Sequence, residues 1–511
     1  MRILRKLASC SLPCLFLSAL AAQTGVVWRP LKPSVLPPPR FEGAMVYDEA
    51  RDELVLFGGA VYTNGSYRPL NDTWVYKNQL WVKKTPTTSP QPRYGAGMVY
   101  DPPTKLVYLY GGTNSNSGFQ QFNDLWKWDG ANWTRLLTWT PKGTNPTGPW
   151  DSGRISYNPS RKRPVVFSGN NMARCSSPVY SNQTWALVPG STGNPAKWVN
   201  LGASLSVLPP RRINAAMTTL GRLSSVVIHG GTYVTGCSAP NHFDYSDTWI
   251  LGSKAWKRIA MSGTPPRRTH HGMFPWFGTS TVGLFGGASY SKNGGSTSFS
   301  QNYNDVWMLR YNASNSTWQW IQVSAGGSSS TFPSKRSSFQ SAYDTKRRRY
   351  YVFGGFGSLT VHTKTPKILG DFWELRPVPA LEGTPPSLSI SQGGTQSFQL
   401  MGGSKSGGRL YLLMGTMNGT GTPWKLGSVN VPLVFDFYTL YTVLYPNSPV
   451  LVNSLGRLGP NGNAKAALNL FPNLLSTALV GRQLHHAYIV FGPLNLGISA
   501  ASNAVPLLLK P

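Results

Sequence analysis

Short runs of β-branched and aromatic residues, each ending in a pair of glycines, recur along most of this chain of 511 residues. They are LVLFGG (Leu54–Gly59), VYLYGG (Val107–Gly112), VVIHGG (Val226–Gly231), VGLFGG (Val282–Gly287) and YYVFGG (Tyr350–Gly355), with a degenerate copy, VVFSGN, at Val165–Asn170. An alternating segment and a turn precede each run, as in GAGMVYD at Gly95–Asp101. This pattern predicts the first two antiparallel strands of a repeated unit.

A tetrapeptide ending in tryptophan follows each run. The copies are NDTW (Asn71–Trp74), NDLW (Asn123–Trp126), NQTW (Asn182–Trp185), SDTW (Ser246–Trp249), NDVW (Asn304–Trp307) and GDFW (Gly370–Trp373). Another tryptophan then marks a short fourth strand in the first five units: Trp81, Trp133, Trp198, Trp256 and either Trp318 or Trp320. Four short strands in each of six units predict an all-β fold, a six-bladed β-propeller.

The sixth unit has no fourth-strand tryptophan after its tetrad. The Pro-rich segment VVWRPLKPSVLPPPR (Val26–Arg40) has the form of a fourth strand without its first three, because Trp28 precedes Arg40 by the twelve residues that separate Trp81 from Arg93. Pairing this segment with the sixth unit would close the ring and cover an exposed edge. We therefore predict that it is part of the propeller and not a tether.

The ordered glycine pairs, aromatic strands and tryptophans resemble the kelch repeat over roughly Trp28 to Arg376. The resemblance implies a kelch-type propeller, and such propellers are often closed by a terminal strand. The third unit departs most from the pattern, because Ser168 replaces the first glycine and Gln183 replaces the tetrad aspartate.

From about Pro386 the repeat stops, and strand-like segments follow that predict a small β-sandwich. They are SLSISQGGTQSFQL (Ser387–Leu400), GRLYLLMGT (Gly408–Thr416), VPLVFDFYTLYTVLY (Val431–Tyr445) and HAYIVFG (His486–Gly492), whereas AKAALNLFP fits a strand or a short helical turn. This part weakly resembles C-terminal modules of exported bacterial proteins. The predicted organisation is a signal peptide at 1–22, the propeller at 23–384 and the sandwich-like domain at 385–511.

The N-terminus has the features of a secretory signal, with Arg2, Arg5 and Lys6 before an apolar stretch and small residues near Ala21. A retained membrane anchor is the alternative, but the apolar stretch is short and Pro13 interrupts it. We expect a monomer that is secreted, periplasmic or on the cell surface, with no membrane span after cleavage. Cleavage leaves Cys175 and Cys237 in equivalent loops of adjacent units, and an oxidising compartment favours a disulfide between them.

The charge balance is strongly basic, with 48 Lys and Arg against 18 Asp and Glu, a net charge of +30. Such a surface attracts polyanions, namely acidic glycans, lipid head groups or nucleic acid, the last only non-specifically. The alternative is that the charge serves solubility.

Catalytic and metal-binding residues have few candidates, so no catalytic residue, metal site or cofactor is predicted. Eight carboxylates recur at repeat positions and are expected to be structural: Asp48, Asp72, Asp101, Asp124, Asp247, Asp305, Asp344 and Asp371. The loops between second and third strands hold little acid besides Asp244, which disfavours a hydrolase with two carboxylates. Some kelch-like propellers are copper radical oxidases similar to galactose oxidase, but their ligand set has no match in this chain. The histidines His229, His270 and His271 are expected to pack in the core.

The arginines that open the units are the predicted ligand-binding residues: Arg40, Arg93, Arg211, Arg212, Arg267, Arg268 and Arg336. They are expected around the channel mouth, on the face of the long loops, where Arg suits carboxylate, sulfate or phosphate. The alternative is that they bond backbone carbonyls and brace loops. Basic residues in the turns of the opposite face, such as Lys105 and Arg347, also favour a diffuse positive field.

Two functions remain after these exclusions. The first is a non-catalytic, exported propeller that binds carbohydrate or a protein partner, above all an acidic glycan or another surface polyanion. The second is a glycan-acting enzyme, an oxidase, mutarotase or lyase, on a kelch-like scaffold. The scarcity of carboxylates and the missing copper ligands favour binding.

Overall fold

The structure is a computed structural model that describes residues 25–63, 65–114, 120–138, 154–167, 169–171, 179–190, 195–235, 241–276, 281–293, 296–312, 316–327, 332–357, 367–403, 406–420, 424–426, 429–493 and 497–511. The predicted signal peptide, Cys175 and Cys237 lie outside the described residues. The described residues form two compact units, one from Trp28 to Arg376 and one from Pro377 to Pro511 together with residues 25–27.

Six sheets of similar construction make up the first unit. Sheet 1 contains β2 (Ala44–Asp48), β3 (Glu53–Phe57), β6 (Thr73–Lys77) and β7 (Leu80–Lys84); sheet 2 contains β8 (Gly97–Asp101), β9 (Leu106–Tyr110), β12 (Leu125–Trp128) and β13 (Trp133–Leu137); sheet 3 contains β14 (Arg154–Asn158), β15 (Arg163–Phe167), β18 (Thr184–Val188) and β19 (Lys197–Asn200). Sheet 4 contains β20 (Ala216–Leu220), β21 (Ser225–His229), β24 (Thr248–Leu251) and β25 (Trp256–Arg258); sheet 5 contains β27 (Gly272–Pro275), β28 (Val282–Phe285), β31 (Val306–Asn312), β32 (Thr317–Ser324) and the parallel β26 (Met261–Ser262); sheet 6 contains β33 (Gln340–Asp344), β34 (Arg349–Phe353), β35 (Phe372–Val378) and β1 (Gly25–Leu31).

Small hairpins extend the loops between second and third strands in sheets 1 to 5. They are β4–β5 (Ala60–Thr63 and Ser66–Pro69), β10–β11 (Thr113–Asn114 and Gln120–Gln121), β16–β17 (Asn170–Asn171 and Val179–Tyr180), β22–β23 (Thr232–Thr235 and Asn241–Asp244) and β29–β30 (Ala288–Asn293 and Ser296–Asn302). The face of the first unit that carries these hairpins is called the loop face below.

The first strands of the six sheets surround a common axis. β2, β8, β14, β20, β27 and β33 contact one another in a closed circle, and they line a central cavity of about 320 Å³. Because each sheet puts its first strand at the axis, its fourth strand lies at the rim. This is the arrangement of a β-propeller.

Fourth-strand tryptophans pack between neighbouring sheets. Each indole lies against the last residue of the second strand in the preceding sheet: Phe57–Trp133, Tyr110–Trp198, Phe167–Trp256, His229–Trp320, Phe285–Trp28 and Phe353–Trp81. In sheet 5 the packed residue is therefore Trp320, not Trp318. Phe285 and Trp28, with ring centroids 4.6 Å apart, complete the circle, so the N-terminal strand lies where the tryptophan–arginine spacing predicts.

The glycine pairs have the left-handed backbone that the sequence pattern predicts. Gly58 and Gly59 have φ of +61° and +94°, and a Cβ at Gly58 would lie 2.7 Å from the carbonyl oxygen of Arg93. Only glycine allows both the conformation and this close approach of the next unit.

The C-terminal unit contains two sheets. One has the order β36 (Ala380–Thr384), β38 (Gly394–Met401), β44 (Asn463–Leu470) and β42 (Leu451–Val452); the other has β37 (Ser387–Ser389), β47 (Val505–Lys510), β45 (Gln483–Phe491), β39 (Leu410–Thr416) and β43 (Leu455–Arg457), with β46 (Ile498–Ala501) on β45; a separate hairpin is formed by β40 (Trp424–Leu426) and β41 (Val429–Val431). Leu400 and Leu468 of the first sheet share one apolar core with Leu413 and Leu507 of the second.

The predicted strand at Val431–Tyr445 is wrong. After β41 the chain forms a helix, α1 (Phe437–Leu444), whose first turn is capped by the side chain of Asp436. Its β-branched and aromatic residues have the composition of a strand, but the cap and the packing of the unit override that preference. The segment AKAALNLFP, for which two structures were open, forms most of the strand β44.

Candidate ligand-binding site

Five of the seven predicted ligand-binding arginines are buried: Arg40, Arg93, Arg212, Arg268 and Arg336. Each makes the same contacts, shown by Arg268. Its Nε donates to the carbonyl of Pro266, and its terminal nitrogens donate to the carbonyl of Gly286 and to both carboxylate oxygens of Asp305, at 2.7 and 2.9 Å. The indole nitrogen of Trp307 donates to the same carboxylate at 2.7 Å. We call this arrangement the staple.

The staple joins the loop that opens a sheet to the third strand of that sheet. The other staples pair Arg40 with Asp72, Arg93 with Asp124, Arg212 with Asp247 and Arg336 with Asp371. Burial opposes ionisation of Asp72, but the hydrogen bonds and charge of Arg40 outweigh it, so the pKa of Asp72 is lowered. These five guanidinium groups thus bond to acceptors of the protein itself. Of the seven arginines predicted to bind a ligand, Arg211 and Arg267 are the two that are exposed.

The third unit carries neither partner of the staple. Gln183 stands at the position of the aspartate, and Trp150 stands eight residues before the end of the first strand, where the other units have arginine. Losing both charges together is physically reasonable, because an isolated buried charge is far more costly than no charge.

Arg211 and Arg267 immediately precede two staple arginines and are exposed. Arg267 lines a cavity of about 440 Å³ between the hairpins of sheets 4 and 5. Within this cavity the ring of His242 stacks on Tyr290 at 3.8 Å, and Asp244 accepts a hydrogen bond from the backbone of Tyr290. Burial raises the pKa of Asp244.

The residues two positions after the staple arginines form a chain of backbone hydrogen bonds around the axis. They are Glu42, Gly95, Asn214, His270 and Ser338, and all have φ between 51° and 72°. The amide of Gly95 donates to Glu42, that of Glu42 to Ser338, that of Ser338 to His270 and that of His270 to Asn214. A left-handed conformation is uncommon for Glu, His and Ser, so these positions are strained, and such strain often marks functional sites.

Polar side chains converge on this circle. His270 Nε2 lies 3.4 Å and Ser338 Oγ 3.3 Å from Glu42 Oε1, and Arg154 donates to Asn214 at 3.1 Å. Burial opposes ionisation of Glu42, but hydrogen bonds and positive charge from His270, with the charge of Arg154, outweigh it and lower the Glu42 pKa. We call Glu42, Arg154, Asn214, His270 and Ser338 the axial cluster.

The sequence prediction missed the axial cluster and was wrong in assigning His270 to the core, although one signal was available. Four of its members stand two residues after the opening arginine, which recurs in five of the six units. In the second unit this position is Gly95, whereas the other four units that have the arginine carry a polar residue there. That difference could have identified the four polar residues as candidates.

The other buried histidines belong to the interior. His229 takes the aromatic position between sheets 4 and 5, and its Nδ1 lies 2.8 Å from Thr248 Oγ1. Its ring lies 5.6 Å from that of His271, which is also buried. Burial and the Arg268 charge lower the His229 pKa to about 3, and burial and the His229 charge lower the pKa of His271 well below its usual value.

Acidification is expected to destabilise the propeller through these histidines. Because their folded pKa lies below the unfolded value of about 6.5, the unfolded chain takes up protons first, and stability falls as pH drops from about 6.5 toward 3, by up to about 1.4 kcal/mol per histidine and pH unit. Thermal unfolding at pH 8, 6 and 5 measures the slope. His229→Phe, the residue at the same position in sheets 1, 3, 5 and 6, should reduce it; an unchanged slope would contradict the assignment.

The described residues include no helix of the length and apolarity that a membrane crossing requires. Among those same residues, no group of three or more His, Cys, Asp and Glu side chains is arranged to hold a metal ion.

Residues 71–287 match the family model of the KLHDC2/KLHL20/DRC7 Kelch-repeats domain. The match runs from the first tetrad to the glycine pair of the fifth unit, and staples outside it, such as Arg336–Asp371, continue the same geometry. The fold of this unit is a kelch-type β-propeller.

Three solved structures are similar to this chain over 56% to 96% of its length. The structure titled "Structure of YjhT" has 15% identity and a TM-score of 0.45, and the match covers 66% of this chain and 95% of that one. An α-L-arabinofuranosidase from Clostridium thermocellum has 10% identity and a TM-score of 0.30, with 56% and 94% covered. A β-fructofuranosidase from Schwanniomyces occidentalis has 10% identity and a TM-score of 0.29, with 96% and 93% covered.

Proposed function

We propose that this chain is an exported, non-catalytic propeller that binds acidic glycans or other surface polyanions on its loop face. In this proposal a signal peptide at 1–22 precedes a six-bladed propeller at 23–384, which β1 closes, and a β-sandwich at 385–511. A disulfide between Cys175 and Cys237 belongs to the same proposal.

The observation that carries the proposal is the distribution of charge. The tetrad carboxylates form ion pairs in the staples. Other carboxylates also have structural contacts: Asp48 and Asp344 accept hydrogen bonds in turns, Glu374 pairs with Arg349, and Asp436 caps α1. Many cations, in contrast, are exposed on a chain whose net charge is +30. A surface of this kind attracts polyanions.

The loop face offers the contacts that such a ligand needs. Arg154 reaches Asn214 in the axial cluster, and Arg267 lies in the neighbouring cavity beside the exposed ring of Phe243. Guanidinium groups bind carboxylate and sulfate in bidentate geometry, while an amide group such as that of Asn214 suits sugar hydroxyls.

One observation favours the second candidate, an enzyme acting on an acidic sugar as a mutarotase or lyase. Glu42 and His270 form an acid–base pair at 3.4 Å, and the Arg154 charge acts on the same carboxylate. A carboxylate next to an imidazole can move a proton while the guanidinium holds a substrate carboxylate. Proton NMR of acidic monosaccharides mixed with the protein would reveal such turnover, and turnover that Glu42→Gln abolishes would replace the binding proposal.

Polygalacturonate is expected to bind the full chain at low salt and to dissociate at high salt, because exposed charges are screened. Arg154→Ala and Arg267→Ala should each weaken binding by about tenfold, the loss of one charge-assisted contact. Biolayer interferometry with immobilised polygalacturonate at two salt concentrations measures both effects.

The matched control is Arg258→Ala, which removes the same charge from the exposed outer strand β25. It should leave affinity within about twofold, because an exposed cation away from the site contributes only to the diffuse field. An equal loss of affinity in all three variants would mean that the ligand responds to the overall charge and not to a site on the loop face. Binding of neutral glycans alone would refute the polyanion proposal.

A further inference from the structure

Helix α1 buries two threonines and exposes two large apolar side chains, while its tyrosines pack partly against the core. Thr439 and Thr442 are fully buried, whereas Phe437 is 91% and Leu444 54% exposed. Phe437 and Leu444 are seven residues apart, two turns of the helix, so they lie on one side of it. An ordinary surface helix shows the reverse distribution.

Polar contacts fix this orientation. The carboxylate of Asp436 accepts hydrogen bonds from the backbone of Thr439 at 2.8 Å and of Met417 at 2.7 Å. Thr442 Oγ1 accepts from the buried amide of Gly415 at 3.1 Å and donates to the carbonyl of Thr439 at 2.8 Å. Rotating the helix to hide Phe437 and Leu444 would leave these groups without partners, which is costly.

Neighbouring residues enlarge the apolar face. Phe435 is 50% and Tyr445 59% exposed, and the ring of Trp424 packs against Phe435 with centroids 5.0 Å apart. We call Trp424, Phe435, Phe437, Leu444 and Tyr445 the aromatic patch. The sequence has no charged residue from Phe437 to Gly456, and the exposed Lys425 adjoins Trp424.

We propose that the aromatic patch docks on the surface of an anionic lipid bilayer. Rings with an apolar body and a polar tip, such as Trp and Tyr, favour the interface between water and lipid. The charge favours an anionic surface, because Asp436, the only Asp or Glu in the sequence from 385 to 511, is engaged as a helix cap, and the chain carries a net charge of +30. Anionic lipid attracts such a chain, and the apolar rings then enter the interface. The helix has eight residues, too few to span a bilayer.

Vesicle sedimentation with the full chain tests this proposal. The probes are vesicles of phosphatidylcholine with and without phosphatidylglycerol, and we expect partitioning only into those with phosphatidylglycerol. The double variant Phe437→Ser and Leu444→Ser should lower partitioning by at least about tenfold, because it removes two apolar side chains from the contact. Both side chains are exposed, so thermal unfolding and polygalacturonate binding should not change, which separates this proposal from the one for the loop face.

Leu80→Ser is the matched control, since Leu80 is 50% exposed on the outer strand β7 of the propeller. It should partition like the unchanged protein. Three results would each overturn the proposal: no partitioning of the unchanged protein, equal partitioning of the double variant, or a dimer in light scattering that the double variant converts to a monomer. The last result would assign the patch to a second copy of this chain.

Discussion

Deletion of Val26–Val35 is expected to lower the stability of the propeller more than any other change on its rim. The deletion removes most of β1, the fourth strand of sheet 6, and leaves β35 as an unpaired edge. It also removes Trp28, which is 3% exposed and fills the space beside Phe285 and Phe332. Thermal unfolding followed by near-UV circular dichroism measures the loss.

The single variant Trp28→Ala measures what the packing of this indole contributes to the free energy of unfolding. Truncating a buried tryptophan costs about 3–5 kcal/mol, because apolar contacts are lost and a cavity remains. Trp318→Ala is the control, since Trp318 also stands on a fourth strand but is only partly buried. We expect less than half the loss there. Equal melting temperatures for Trp28→Ala and the unchanged protein would return the segment Val26–Arg40 to the status of a tether.

Much of the propeller could be predicted from the sequence, because each repeated residue is required by local backbone geometry or packing. Glycine pairs mark positive φ, and the tryptophan–arginine spacing places β1 in sheet 6, since the strand and the following loop must span a fixed distance. The third unit was predicted in spite of its degenerate residues, and its sheet of β14, β15, β18 and β19 is present. Strand length and spacing are thus stronger signals than any single residue.

The candidate site was harder to predict, because a residue type does not reveal its partner. Arg267 and Arg268 are adjacent in the sequence, yet one lines a cavity and the other is buried against Asp305. The distinction depends on which side chain reaches the third strand, a property of tertiary structure. The same limit explains the error at α1, where the hydrogen bonds of Asp436 and Thr442 outweigh the strand preference of the segment.

Breaking one staple is expected to cost about 3–5 kcal/mol of unfolding free energy. Asp124→Gln removes the carboxylate that pairs with Arg93, whose side chain is fully buried. Glutamine still offers an acceptor to the indole of Trp126. The matched control is Lys346→Ala, whose side chain is 65% exposed in its pair with Asp52. That change should stay within about 1 kcal/mol, because exposed ion pairs contribute little.

The double variant Arg93→Met and Asp124→Gln tests why the third unit can omit the staple. With both charges gone, no buried ion is left unpaired, so the double variant should be more stable than Asp124→Gln alone. The coupling energy from the two single variants and the double variant isolates the pair itself. A loss below about 1 kcal/mol for Asp124→Gln would contradict a structural role for the staple. Arg93 would then again be a candidate for ligand binding, since its guanidinium would not be required for the stability of the fold.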